Sequence, residues 1–158
     1  MAEEVKIGQL PIKKYEELPE GEWTKPKLAK SGFYVAAKCT YPNKTQEELY
    51  IWKKKQEFSP KYLFKYQAYK IKEFQFCLNS KSFIVLREDA NGKQKMEHLN
   101  ISTGSMIAEL YLNENEYIDD VLCSTFSIHC RFFALGTKKA VYIWDILSGK
   151  QLLNEKEE

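Results

Sequence analysis

The sequence predicts an all-β protein assembled from a repeated four-stranded unit, and three observations predict it. The chain of 158 residues carries ten Tyr, nine Phe and three Trp, and aromatic and β-branched residues favour strands. Short apolar runs alternate with turn-forming residues along most of its length. Two stretches 45 residues apart, KMEHLNISTG at 95–104 and AVYIWDILSG at 140–149, share one cadence of strand followed by a Ser/Thr-Gly turn. Self-similarity on this scale marks a repeat architecture.

The first 31 residues stand outside the period. GQLPIKKYEELPEGEWTKPKLAKSG holds Pro11, Pro19 and Pro26 among alternating charges. Each proline removes a backbone donor and disfavours helix at the residue before it. An extended arm is expected over 1–31, with Leu10, Tyr15, Leu18 and Trp23 spaced along it as anchors. It either docks on a partner or lies on the chain's own sheets as an irregular first strand.

Three copies of the unit follow. Phe33-Tyr34-Val35-Ala36-Ala37, Phe83-Ile84-Val85-Leu86 and Phe132-Phe133-Ala134-Leu135 open them, with steps of 50 and 49 between the leading phenylalanines. The hairpin tips TYPNKTQE, EDANGK and GTKK come next. Their Pro-Asn and Asn-Gly pairs suit turns, because Asn and Gly accept positive φ and Pro presets its own. The second strands are Leu49–Trp52, Met96–Leu99 and Val141–Trp144, which sets Trp52, Leu99 and Trp144 apart by 47 and 45. The turns KKKQEFSP, STG and LSG then lead into outer strands at Tyr62–Tyr66, Met106–Leu110 and Gln151–Leu153. Four-stranded antiparallel units of about 40–45 residues are propeller blades. Blades are expected over about 32–66, 73–112 and 119–153, within 32–154, followed by a charged tail at 155–158.

The last copy carries a family resemblance. FSIHCRFFALGTKKAVYIWDILSGKQLL resembles a WD40 repeat, with the family's Phe-Ser start, its Ala-x-Gly-Thr, its Val-x-Ile-Trp-Asp and its Ser-Gly-Lys-x-Leu. The match is fullest over 119–153. In 73–112 Leu99-Asn100 stands where the family has Trp-Asp, and in 32–66 Trp52-Lys53 does. The family's Gly-His and turn Asp are missing, with Ser80-Lys81 and His129-Cys130 at the turns. Without that polar brace, blade cohesion must come from packed apolar strands. The resemblance implies a diverged, partial propeller acting as a non-catalytic scaffold for other proteins. Propellers close with four to eight blades. Three leave sheet faces and strand backbone uncovered, so further chain or a partner is expected to complete or cover the open sector.

Rigid blades carry binding residues on their loops. The expected contacts are Trp23 on the arm, Tyr41 and Asn43 in the first tip, Asn91 in the second, and Lys138 and Lys139 in the third. Phe83, Phe132, Trp144 and Asp145 are assigned to structure. The alternative function is an RNA- or ribosome-associated propeller of the translation initiation factor type. Segment 53–74, KKKQEFSPKYLFKYQAYKIKEF, interleaves seven Lys with aromatics as a basic single-strand platform does. In strands, however, alternation sends Lys to solvent by default. A net charge of +2 is too small to favour nucleic acid.

Little in the chain points to chemistry. Only His98 and His129 are available as histidine bases, and no nucleophile elbow, Walker loop, dinucleotide fingerprint or zincin helix occurs. Glu47-Glu48 and Asp119-Asp120 are adjacent pairs, which strand geometry points to opposite faces. No enzyme, cofactor or small-molecule substrate is expected. Cys39, Cys77, Cys123 and Cys130 lack CxxC spacing and are expected as isolated small hydrophobes. Cys123, His129 and Cys130 form the one cluster worth weighing as metal, without zinc-finger spacing. No run approaches a membrane span, and MAEEVKIGQL lacks a signal-peptide layout. A cytoplasmic, or nuclear, protein is expected, with the sequons at Asn43 and Asn100 as chance matches.

Overall fold

Alternating apolar runs divided by tight turns fold here into antiparallel meanders. The computed structural model describes residues 4–7, 10–13, 20–54 and 62–156, with side chains described over 20–54 and 62–153. A hairpin, β1 (Glu4–Ile7) and β2 (Leu10–Lys13), comes first. The first blade is β3 (Glu22–Leu28), β4 (Tyr34–Thr40), β5 (Glu47–Lys53) and β6 (Phe64–Ala68). The second is β7 (Lys70–Phe76), β8 (Ser82–Glu88), β9 (Gln94–Asn100) and β10 (Met106–Leu110). The third is β11 (Val121–Phe126), β12 (Phe132–Thr137), β13 (Ala140–Asp145) and β14 (Gln151–Lys156). No helix occurs among the described residues, and the chain is a partial β-propeller of three blades.

The blades stack through two apolar layers, and strand alternation sets both. In β8, Phe83 and Val85 face the first blade, where they meet Ala36, Leu49 and Ile51. Their neighbours Ile84 and Leu86 face the third blade, where they meet Phe133, Leu135 and Trp144. A strand buried on both faces reads as a continuous apolar run, and SFIVLRE does. The first strands of the blades lie side by side and are tied by polar side chains. Lys27 Nζ donates to Phe74 O at 2.6 Å and pairs with Glu73 at 2.9 Å, and Gln75 Nε2 donates to Ser124 O at 3.0 Å.

Matching turns repeat with the blades. Gly32, Ser80 and Cys130 each take positive φ and donate their N–H three residues back, to Ala29, Cys77 and Ser127. Gly104 and Gly149 both sit at φ 73° and close the turn before the outer strand, donating to Asn100 O and Asp145 O. Only glycine enters that left-handed region without steric cost. Asp145 Oδ1 also accepts the N–H groups of Leu147 and Ser148, and Asn100 Oδ1 those of Ser102 and Thr103. Asn100 thus does in the second blade what the Asp of Trp-Asp does in the third.

Four expectations change. Residues 22–28, placed in the arm, are strand β3, so the first blade starts ten residues before position 32; the alternative of an irregular first strand describes it. Its irregularity has a cause: pairing with β4 shifts between Thr24 and Lys27 around Pro26, with Lys25 at φ 52°, and proline is confined to edge strands and bulges. Second, Phe132 is not the core residue. Phe133 is 1% exposed and Phe132 40%, because the equivalent positions are Val35, Phe83 and Phe133, opposite Trp52, Leu99 and Trp144. A one-residue slip in a strand exchanges its faces. Third, Cys77 and Cys130 are not isolated but disulfide-bonded, with Cα atoms 5.9 Å apart, between the inner turns of the second and third blades. Finally, β14 runs to Lys156, into the expected tail.

Candidate binding face

Antiparallel meanders bring every second hairpin to one edge of the stacked sheets. The β4–β5, β8–β9 and β12–β13 tips, at 41–46, 89–93 and 138–139, are such hairpins. The blade connections differ sharply. One residue, Tyr69, joins β6 to β7, whereas 111–120 joins β10 to β11. That long connector is fastened beside the second tip. Tyr117 donates its hydroxyl to Glu88 Oε2 at 2.7 Å and accepts from Lys72 Nζ at 3.1 Å. Gln94 brackets the Ile118 backbone, donating to its O and accepting from its N–H, both at 2.8 Å.

Three clefts form around this connector, and two of them meet at Tyr117. One, of about 570 Å³, runs between Asn91–Lys95 and the stretch 112–117. Another, of about 400 Å³, lies between Tyr117, Asp119, Asp120 and Leu122 on one side and Lys138 and Lys139 on the other. Tyr117 lines both. Its hydroxyl is held protonated by the Glu88 hydrogen bond and then by burial, which push it up to about 12. Burial pulls Lys72 below the usual lysine range. The walls combine both charge signs with amide groups, chemistry suited to a polypeptide's backbone and mixed side chains.

The six expected contact residues separate into two groups. Asn91, Lys138 and Lys139 line the two clefts, and Asn43 lines a smaller one of about 360 Å³ with Lys44, Thr45, Gln46, Glu48 and Gln67. Tyr41 and Trp23 are placed otherwise. Tyr41 is buried under Lys44, whose Nζ stands 4.3 Å from its ring, and donates its hydroxyl to Glu48 at 2.7 Å. Trp23 packs on Tyr50 and Trp52 at ring separations of 5.2 and 5.9 Å. Beneath the first tip, Glu48 is a buried carboxylate with all its demands met. Burial alone would raise its pKa, but the Tyr50 and Tyr41 hydroxyls, the Gln67 amide and Lys65 outweigh burial and hold it at about 2. Tyr50 is pushed up to about 12 by burial and by the same carboxylate.

Tyr117, Asp119 and Asp120 were not expected as contacts. The signal available was length: ten residues between strands, LNENE among them, where the preceding connection needs one. Elsewhere, His98 is pulled below the usual histidine range by burial, and its Nε2 has no hydrogen-bond partner. Cys130, weighed with Cys123 and His129 as a metal cluster, has its sulfur bonded to Cys77. Among the described residues no group of three or more His, Cys, Asp or Glu side chains is arranged for a metal. No helix of the described residues is long and apolar enough to cross a membrane.

The fold itself is shared with solved propellers. No family model matches the chain, and no curated protein does. Among solved structures it is similar to a eukaryotic initiation factor, at TM-score 0.62 and 10% identity over 94% of this chain and 35% of the other. It is similar to puromycin hydrolase at 0.63 and 16%, over 83% of this chain and 21% of the hydrolase. It also matches the β-propeller domain of the Trilobed protease from Pyrococcus furiosus at 0.53 and 14%, over 86% and 43%. The chain therefore spans less than half of each of these proteins. At such identities the likeness shows the propeller fold alone.

Proposed function

We propose that this chain is three diverged WD40-like blades serving as a protein-binding platform, without catalysis, inside a larger propeller or assembly. The observation that supports the reading is the pair of clefts meeting at Tyr117, which puts the second and third tips and connector 111–120 on one continuous edge. Loops held on a rigid β frame bind with little ordering cost. A segment of partner chain carrying both charge signs would lie along 91–95, cross Tyr117 and meet Lys138 and Lys139. The test is photo-crosslinking from positions 91 and 139. One polypeptide captured from both sites, and lost with Tyr117→Ala, supports the platform; unrelated captures from the two sites sink it.

An RNA- or ribosome-associated role is the second reading, favoured by the likeness to an initiation factor over 94% of the chain. Of the described lysines in 53–74, Lys53, Lys65 and Lys70 are exposed and Lys54 is partly buried, while Lys72 is buried and occupied by Tyr117 and the Ile118 carbonyl. Residues 55–61 lie outside the described residues. Binding to single-stranded RNA that weakens steeply with added salt would mark this reading, since phosphate contacts release counterions.

A further inference from the structure

We propose that Tyr117 is a phosphorylation site, and that a phosphate on its hydroxyl oxygen switches the platform off. The residues around it carry the first argument. ENEYIDD, at 114–120, sets Glu114 and Glu116 before the tyrosine and Asp119 and Asp120 after it. A tyrosine kinase with a basic substrate groove selects such flanks by charge complementarity. Among the described residues the exposed tyrosines are Tyr62, Tyr69, Tyr111 and Tyr117. Lys61 precedes Tyr62, Lys70 follows Tyr69 and Tyr111 lies between two leucines, whereas Tyr117 directly follows a glutamate. Glu114, Asn115, Tyr117, Asp119 and Asp120 are all exposed, and Ile118 is the one buried residue of 114–120. Gln94 holds the Ile118 backbone by two hydrogen bonds, so a kinase must lift the connector off Gln94.

The reaction is a phosphoryl transfer. The Tyr117 oxygen attacks the γ-phosphorus of ATP, the bond from that phosphorus to the departing ADP oxygen breaks, and the phenolic proton passes to the kinase's catalytic aspartate. Tyr117 thereby loses the hydrogen that it donates to Glu88 Oε2 at 2.7 Å. It gains a charge of roughly −1.5 to −2 at pH 7. Glu88 then repels it, and Asp120 and Asp119 act in the same sense. Lys72 is buried and already donates to the Ile118 carbonyl. Lys138 and Lys139 stand across the cleft of about 400 Å³ that Tyr117 lines, and charge-assisted bonds draw a phosphate to them. The ring therefore leaves the wall of one cleft and fills the other. This switch rests on the platform reading, because it acts on the same pair of clefts.

The experiment incubates the full chain with Mg-ATP and a recombinant tyrosine kinase domain selective for acidic peptides, and locates phosphate by peptide mass spectrometry. Near-UV dichroism reports the fold of each variant. One phosphate on Tyr117 is expected, absent from Tyr117→Phe, formed more slowly in Glu116→Lys and faster in Gln94→Ala, which frees the Ile118 backbone. Capture by a photo-crosslinker at position 91 should be lost once the chain is phosphorylated. Phosphate on Tyr62, Tyr69 or Tyr111 in preference to Tyr117, or an unlabelled Tyr117 in the parent and Gln94→Ala chains alike, overturns the site. Equal capture before and after phosphorylation overturns the switch and leaves the platform standing. Absence of any common capture by the unmodified chain sinks the platform and the switch together, while the labelling still decides the site.

Discussion

Trp144 and Trp52 hold one position in two copies of the same sheet, yet they face different surroundings. Trp144 is fully buried, stacks on Tyr142, touches Phe133 at 6.0 Å between centroids, and donates Nε1 to Tyr111 O at 2.7 Å. Trp52 stacks on Tyr50 and meets Trp23, with no blade beyond among the described residues. Four residues before each tryptophan the blades diverge: Ala140 stands in the third and the buried Glu48 in the first. A repeat fixes where a side chain points. What that side chain contributes is set by whatever sheet comes next.

The widest separation between the two positions should appear in stability. Trp144→Ala removes packing on both sides and leaves the Tyr111 carbonyl unpaired, a loss of about 3–5 kcal/mol in urea unfolding. Trp52→Ala should lose about 1–2 kcal/mol, since its ring is only partly buried. Equal losses would break the comparison. Glu48 sharpens it next. Its pKa is held at about 2 against an ordinary 4.5, so its contribution is complete above pH 4.5 and disappears as the pH falls through about 2. Glu48→Gln should cost about 2 kcal/mol at neutral pH and should flatten the decline of the unfolding midpoint between pH 4.5 and 2. An unchanged acid profile would show that Glu48 is not ionised in its pocket.

A smaller effect tests the two turn caps. Asn100→Ala strips the acceptor for Ser102 and Thr103 and should cost about 1 kcal/mol, seen as a lower midpoint at constant slope. Asp145→Ala should lower the midpoint further, because Asp145 also takes a two-point contact from Arg131 at 3.1 and 3.2 Å. The least energetic probe is thiol labelling. Exposed Cys123 should react in the native protein, and buried Cys39 only after unfolding. Cys77 and Cys130 should stay unlabelled until a reductant is added, by mass spectrometry.

How far the sequence reveals this follows from how local each signal is. Strand, tip and turn are written in neighbouring residues, so Val-Tyr-Ile-Trp-Asp and Asn-Gly disclosed the third blade and the second tip. Strand β3 was hidden because Pro26 and alternating charges read as an arm, while its pairing partner lies across a turn. The Phe132-Phe133 doublet allows two registers, and only packing against the second blade selects one. Cys77 and Cys130 are 53 residues apart, and nothing near either names the other. Tyr117 is an ordinary aromatic until Glu88 and Lys72 are brought to it. Tyr41 at its tip and Trp23 on the expected arm read as free for the converse reason: the carboxylate and rings that occupy them come from β5.

Tyr69 alone spans the passage from the first blade to the second. So short a tether sets the angle between those sheets during synthesis, and any insertion there would pry the shared layer of Leu49, Ile51 and Phe83 apart. The stretch 111–120 is fastened at Tyr111 and again at Tyr117 and Ile118, and polar lengthening between them, near Asn113–Asn115, would leave the neighbouring sheets in register. Evolution could graft new recognition elements at that seam.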